Sequence, residues 1–457
     1  MKNVFLIFVL SLLLISTPLS SVFAGSDTEQ VMKEINKLKS KIYNLERQLA
    51  QKAPAPVEVQ KSRSTVDKLN KALGDISINI GATGIIQGAT GNDDGDNPID
   101  GSYSVDVEFE APIGKNGRAY MHLEAGDGEN VVSEVGGLTG TNADAAYLDD
   151  DMGVSEIWYE HNFSFMNCGM QLNVGKIDVT RFFDTNTVAD DETTQFLANI
   201  FVDNITMELP DGDIYAPGAR LMISPCPLVD VSVGIFDGND DYEDIFDDLF
   251  SILEVAVKPK FFGLQGNYRI YGWHNNKDHI EVGTVTVQGP WPWSPPTETF
   301  GISDDDEENY GFGISIDQVV NEPTGLSVFF RYGYQNDDIF AVNPEEFNGL
   351  ADLLDGTNIA IEHTFSAGFS ITGKCWNRPE DVFAMAAGVA ILKDVYEDTA
   401  SNLGIDTEDE YRFETYYKYK INDKLYISPD FQYVTNLYGL DNDDDIFIFG
   451  VRTQLYF

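Results

Sequence analysis

Along residues 102–110, SYSVDVEFE, Tyr103, Val105, Val107 and Phe109 fall on one side of an extended chain, and Ser104, Asp106, Glu108 and Glu110 on the other. Period-two alternation of this kind predicts a strand with one dry and one wet face. The pattern recurs from Asp75 to the C-terminus and predicts sixteen strands: 76–87, 102–111, 118–126, 154–161, 169–177, 216–224, 229–236, 252–258, 264–273, 309–318, 325–334, 358–373, 384–392, 409–420, 424–434 and 445–457. Short turns at 112–117, 162–168, 225–228, 259–263, 319–324 and 421–423 interleave with long segments at 127–153, 178–215, 237–251, 274–308, 335–357 and 393–408. An even strand number with connections that alternate in length predicts an all-β fold, a 16-stranded antiparallel transmembrane β-barrel over 75–457. Its dry face would meet lipid and its wet face a watery lumen. The last strand agrees, with Phe447, Phe449, Val451, Leu455 and Phe457 on one face.

The pattern differs before Asp75. Val31, Ile35, Leu38, Ile42, Leu45 and Leu49 are spaced 4, 3, 4, 3, 4, the seam of a short coiled-coil helix. A helix of this length is marginal alone in water, so copies of the chain are expected to hold one another, as a homotrimer. The Pro-containing stretch QKAPAPVEVQKSRS follows, which places a coiled-coil segment and linker at 25–60 and further linker at 61–74. Ahead of these, Lys2, the apolar run from Val4 to Ile15 and the small-residue site Val22-Phe23-Ala24 form a secretory signal over 1–24. The expected destination is a bacterial outer membrane.

Composition narrows the function. With 29 Lys+Arg against 75 Asp+Glu the formal charge is −46, which argues against nucleic acid and against a basic patch on anionic headgroups. Three cysteines, Cys168, Cys226 and Cys375, cannot all pair with one another, and whether Cys168 meets Cys226 stays open. The five histidines form no HExxH, no G-x-S-x-G elbow occurs, and the cysteines lack zinc spacing. No catalytic residue, metal or cofactor is therefore expected.

Arginine placement carries the chemistry. Of eight arginines from residue 72 on, Arg118, Arg220, Arg269, Arg331, Arg412 and Arg452 lie inside strands, out of phase with the apolar positions. An arginine in hydrocarbon is costly, so these must face the lumen. Tyr120, His122, Glu124, Tyr271 and Trp273 share that phase. Guanidinium forks beside flat aromatic faces suit a sugar, whose hydroxyls accept hydrogen bonds and whose C–H patches stack. The alternative is that lumen arginines only pair with carboxylates such as Asp106, Glu108 and Glu414 and brace the barrel.

The segment GKIDVTRFFDTNTVADDETTQFL (175–197) resembles the OprB-type carbohydrate-selective porins. GNYRIYGW (266–273), GFGISIDQ (311–318), FFRYGYQ (329–335), GKCWNRPEDVFAMAAG (373–388) and ETYYKYKINDKLYISPDFQYV (414–434) match in order. The resemblance implies an outer-membrane porin that passes monosaccharides and related small neutral solutes by diffusion, with a loop folded inward as a constriction. It implies Lys176, Asp178, Arg181, Asp184 and Asn186 as polar groups of that constriction. Contact of the coiled coil with the cell wall stays open. The rival expectations are a general cation-preferring pore, a structural protein whose coiled coil braces the envelope, and an enzyme built on a barrel.

Overall fold

In the last strand, Phe447, Phe449 and Val451 are exposed on the outer face, with Phe449 at 57%, while Ile446, Ile448 and Arg452 are buried inside. The alternation of the sequence thus becomes the wall of a closed barrel. The protein is described by a computed structural model over residues 76–91, 97–128, 131–144, 152–210, 214–239, 248–287, 297–342, 358–402, 404–441 and 445–457. The expected signal, coiled coil and linker at 1–74 lie outside the described residues.

The strands are β1 (Ser77–Thr90), β2 (Ile99–Ile113), β3 (Gly117–Asp127), β4 (Gly153–Phe165), β5 (Cys168–Asp178) and β6 (Tyr215–Cys226). They continue with β7 (Val229–Asp237), β8 (Leu249–Val257), the two-residue β9 (Lys260–Phe261), β10 (Leu264–Val287), β11 (Thr297–Asn321) and β12 (Leu326–Gln335). The short β13 (Ile339–Val342) precedes β14 (Ile361–Gly373), β15 (Arg378–Leu392), β16 (Glu410–Asn422), β17 (Leu425–Thr435) and β18 (Asp445–Tyr456). Each long strand pairs antiparallel with its neighbours, β8 with β10 and β12 with β14 across the two short ones. The circle closes between β1 and β18, from Gly81 opposite Tyr456 to Thr90 opposite Phe447. All sixteen expected strands are present. Closure leaves no unpaired edge, as a lipid-embedded sheet requires.

One end of the barrel has tight turns. Between β4 and β5 the connection is Met166-Asn167, both at positive φ, the type I′ geometry that matches strand twist. The other end carries the long connections. Of the segment 274–308, expected as a loop, the described residues 274–287 and 297–308 instead continue β10 and β11, which stay paired from Asn275 opposite Asn309 to Val287 opposite Thr297 with bulges between. Buried polar residues of this ladder are partnered: His279 Nε2 lies 2.8 Å from Glu208 Oε1, and Asn309 Nδ2 donates to Glu208 Oε2 at 2.6 Å. Helices α1 (Val132–Val135), α2 (Asn199–Val202) and α3 (Asp394–Asn402) also lie in long connections. The three cysteines are unpaired.

Candidate functional site

Two of the long connections turn into the barrel. In the longer, 179–210, Val188, Phe196 and Phe201 pack with Phe329, Ala386 and Tyr416, while Val179, Phe183 and Met207 pack with Trp158, Phe236 and Trp273. In the shorter, 131–144, Val131 and Val135 pack on Val434, Ile446 and Ile448. Apolar residues in these connections would otherwise sit in water, so burying them against the wall drives the inward fold. The two segments also join each other. Ala143 N donates to Leu197 O at 2.8 Å and Ile200 N to Thr139 O at 3.1 Å. Gly140, at φ +65°, permits the approach, since a Cβ there would lie 2.2 Å from Asn199 Oδ1.

Wall charges fasten both segments. Arg331 Nη1 donates to Phe201 O at 2.9 Å, and Nη2 donates to Ala189 O at 3.1 Å and to Asp184 O at 3.3 Å. Its Nε lies 2.7 Å from Asp184 Oδ2, an ion pair off the line of a hydrogen bond. Asp184 also accepts from Tyr271 OH at 2.9 Å and from Asn204 N at 3.0 Å. Asn186 Nδ2 donates to Ser315 Oγ at 3.2 Å and to Ile316 O at 3.3 Å. Arg452 donates to Glu192 O at 2.6 Å and to Gln195 O at 2.7 Å, and Glu414 accepts from Leu197 N at 2.6 Å and Ala198 N at 2.9 Å. For the shorter segment, Arg412 Nη2 donates to Gly136 O at 2.9 Å, and Glu410 accepts from Leu138 N at 2.8 Å and Thr139 N at 3.0 Å. A guanidinium suits this task because it presents several donors in one rigid plane. Arg269, 3.4 Å from Asp317 Oδ2, belongs to the same set, since Asp317 accepts from Thr187 Oγ1 at 2.7 Å.

The wall of β2 to β5 is different. In register, Arg118 faces Glu160, Tyr120 faces Trp158 and His122 faces Glu156 across β3 and β4. Tyr120 and Trp158 stack at 4.7 Å. Arg118 lies 5.1 Å over the Trp158 ring and Arg181 4.8 Å over Tyr120, so a guanidinium closes each end of the column. Carboxylates hold them: Arg118 donates to Glu160 at 2.7 Å and Glu110 at 3.1 Å, and Arg181 Nε donates to Glu156 Oε1 at 2.9 Å. The Arg118 and Arg181 side chains keep 35% and 34% of their surface open. Glu124 accepts from Ser155 Oγ and Tyr215 OH, each at 2.9 Å.

The expected site residues thus divide. Arg118, Tyr120, Glu124 and Arg181 come together on the β2–β5 side. Asp184 and Asn186 belong to the long inserted segment, Tyr271, Arg331 and Arg452 lie on the wall beneath it, and Arg412 lies beneath the short one. The rings of Tyr271 and Trp273 are buried, and Trp273 lies beside Phe250, their centroids 6.2 Å apart and nearly parallel. Asp178 shapes the turn out of β5, accepting from Thr180 Oγ1 at 2.7 Å and Arg181 N at 3.0 Å. Lys176 is a correction. It stands opposite Ile157, which is 53% exposed on the outer face, so its strand phase is outward rather than towards the lumen. Trp158, Glu156 and Glu160 escaped the sequence reading, although they share the inward phase of β4.

The inserted segments carry acid where water is scarce. Burial pushes Asp203 up to about 7, with repulsion from Asp184 and Asp178 adding to it and Arg331 opposing. Burial also raises Asp144 to about 7, and lifts Asp190 and Glu192 well above the usual carboxylate range.

A closed barrel, apolar outside and charged inside, narrowed by inserted connections, is the architecture of an outer-membrane porin. Comparison with known proteins agrees. Residues 105–457 match the model of the family described as carbohydrate-selective porin, OprB family. The fold is similar to that of Pseudomonas putida OprB at high pH, with TM-score 0.66 and 16% identity over 86% of this chain and 96% of that one. The low-pH structure of the same protein gives 0.50 at 12% identity, over 87% and 98%. An uncharacterized protein of Aquifex aeolicus (strain VF5) is 26% identical over 168 residues, 36% of this chain and 50% of that protein. The chain thus spans about half the length of that curated relative. The chain belongs to the OprB family of carbohydrate-selective porins. Family and barrel place it in the bacterial outer membrane, and both are those of channels, which are not enzymes.

Proposed function

We propose that the chain is a passive channel for monosaccharides and similar small neutral solutes, which pass between the β2–β5 wall and the inserted segments. The observation that carries this is the column Arg118–Trp158–Tyr120–Arg181, whose outer guanidiniums stay partly open beside Glu108 and Glu110. Such groups offer hydroxyls both donors and acceptors, in contacts weak enough to release them. Arg118, Glu124 and Arg181 touch solute on this reading, and the buried Tyr120 ring supports Arg181 beneath them. Asp178, Asp184, Asn186, Arg269, Tyr271, Trp273, Arg331, Arg412 and Arg452 fix the constriction that solute meets. Planar-bilayer recordings with and without added sugar test it: sugar should reduce the ionic current in a saturable way, and no reduction at any concentration refutes it.

The acid on the same side favours a second reading, a general pore that prefers cations. That pore would show cation selectivity with no sugar-dependent block. The homotrimer is proposed from the seam at Ile35, Leu38, Ile42, Leu45 and Leu49. Lipid contact is proposed from outer-face residues such as Ile86, Ile270 and Phe449. Cross-linking of the intact protein that traps only monomer refutes the trimer.

A further inference from the structure

The charge balance along the open wall bears on which sugars pass, and the inference drawn from it rests on the sugar-channel reading above. Seven carboxylates lie on the inward side of β2, β3 and β4: Asp100, Asp106, Glu108, Glu110, Glu124, Glu156 and Glu160. Against them stand Arg118, Arg181 and, at the rim of the cleft beside the turn, Lys115. Each guanidinium is already ion-paired with more than one carboxylate, Arg118 with Glu110 and Glu160, Arg181 with Glu156 and with Glu108 at 3.9 Å. The other strand arginines do not redress the balance. Arg331, Arg412 and Arg452 are buried; Arg331 and Arg452 donate to backbone carbonyls of the long inserted segment, and Arg412 to Gly136 O, Thr139 and Thr141 of the short one and to Gln432.

A second observation is that His122 adds no accessible positive charge to this wall. His122 is buried to 7% between Asp106, 3.0 Å from Nε2, and Glu156, 3.9 Å from Nδ1. Among the described residues its Nδ1 has no hydrogen-bond partner. Glu108 and Glu110, by contrast, keep 32% and 43% of their side chains open. The ends of the column are therefore guanidiniums each paired with two carboxylates, and further accessible charge beside them is carboxylate. Such a surface accepts hydrogen bonds from hydroxyls and ammonium groups and repels a solute carboxylate.

We propose that the channel sorts sugars by charge, passing amino sugars in their ammonium form and neutral sugars, and retarding sugar acids of the same size.

The test uses the full-length protein in proteoliposomes with the membrane potential clamped at zero, and compares uptake of labelled glucose, glucosamine and glucuronate, which share one ring size. At low ionic strength glucosamine should enter about tenfold faster than glucuronate, the low end of what a cleft of one sign produces. Glucose should fall between. The ratio should approach one at 1 M salt, where the screening length drops to about 3 Å. Glu108→Gln combined with Glu110→Gln should narrow the ratio at low salt, and Arg118→Gln should widen it. The opposite signs of the two changes guard against a general loss of folding, since a damaged barrel would move both the same way. Glucuronate entering as fast as glucosamine, with glucose uptake intact, overturns charge sorting and leaves the sugar channel standing. No uptake of glucose alongside normal ion conductance overturns both.

Discussion

Arg331 and Arg118 are the same residue type on the same inward phase of antiparallel strands, yet they do different things. Arg331 is 1% exposed, paired with Asp184 and hydrogen-bonded to three carbonyls of an inserted segment. Arg118 leaves about a third of its side chain open and is held by two carboxylates over a tryptophan ring. The first belongs to a packed side of the barrel, where Ser315, Thr364, Arg412, Gln432 and Arg452 are all covered. The second belongs to a side that the insertions leave partly open. Strand phase decides that an arginine faces inward. What covers it decides whether it serves as a fastener or meets solute.

The contrast can be broken most severely on the packed side. Arg331→Ala leaves the Asp184 carboxylate buried without its partner, and should cost about 3–5 kcal/mol. Denaturant unfolding followed by tryptophan fluorescence should show a lower midpoint, and single-channel conductance should rise as the 179–210 segment loosens. A smaller loss, about 1–3 kcal/mol, is expected from Gly333→Ala. Its new Cβ would lie 2.0 Å from Asn204 Oδ1 and 2.2 Å from Thr206 Oγ1, so the segment must shift off the wall. The same unfolding measurement checks it.

On the open side stability should change less and selectivity more. Arg181→Ala removes the guanidinium from the buried Glu156, to which Trp158 Nε1 and Asp178 N still donate, so the loss on unfolding should be about 1–3 kcal/mol, below that at Arg331. It also uncovers Glu156 and Glu108, and a reversal potential at low salt should move towards cations. Acidity sharpens the contrast by the least. Asp203 and Asp144 hold protons up to about pH 7, so the constriction loses negative charge as pH falls through that value. The K⁺ over Cl⁻ permeability ratio should therefore decline from pH ~8 to pH ~5. The linked stability has the corresponding sign. Both folded values stand above the unfolded 3.8, so the contribution is full below 3.8 and is lost as pH rises through about 7.

Much of this was legible in the chain. SYSVDVEFE shows which residues of β2 face water without any knowledge of its neighbours, because side chains alternate with period two in any strand. The arginines of β3, β6, β10, β12, β16 and β18 could be assigned inward from phase and the cost of charge in lipid alone. Lys176 failed by the same rule: it sits one residue off the phase of Asn173 and Gly175, and the family motif drew it into the site against its own strand. The extension of β10 and β11 was hidden because charged runs, Lys277-Asp278 and Asp304 to Glu308, interrupt the alternation that marks a membrane-facing strand, although Thr284-Val285-Thr286-Val287 keeps it.

By itself, then, the sequence determined the strand number, the inward and outward faces, the acidic character and the presence of a family motif after β5. These are local quantities, set by residues within a few positions of one another. Only the tertiary structure decided which inward residues meet solvent. Glu410 reaches Thr139 across 271 residues, and Arg452 reaches Glu192 across 260. No periodicity encodes such a meeting. Closing the barrel brings the distant strands round to where 131–144 and 179–210 bury their apolar residues. That burial covers Tyr271 and Trp273, leaves Arg118 and Arg181 partly open, and so selects the side of the wall that solute can touch.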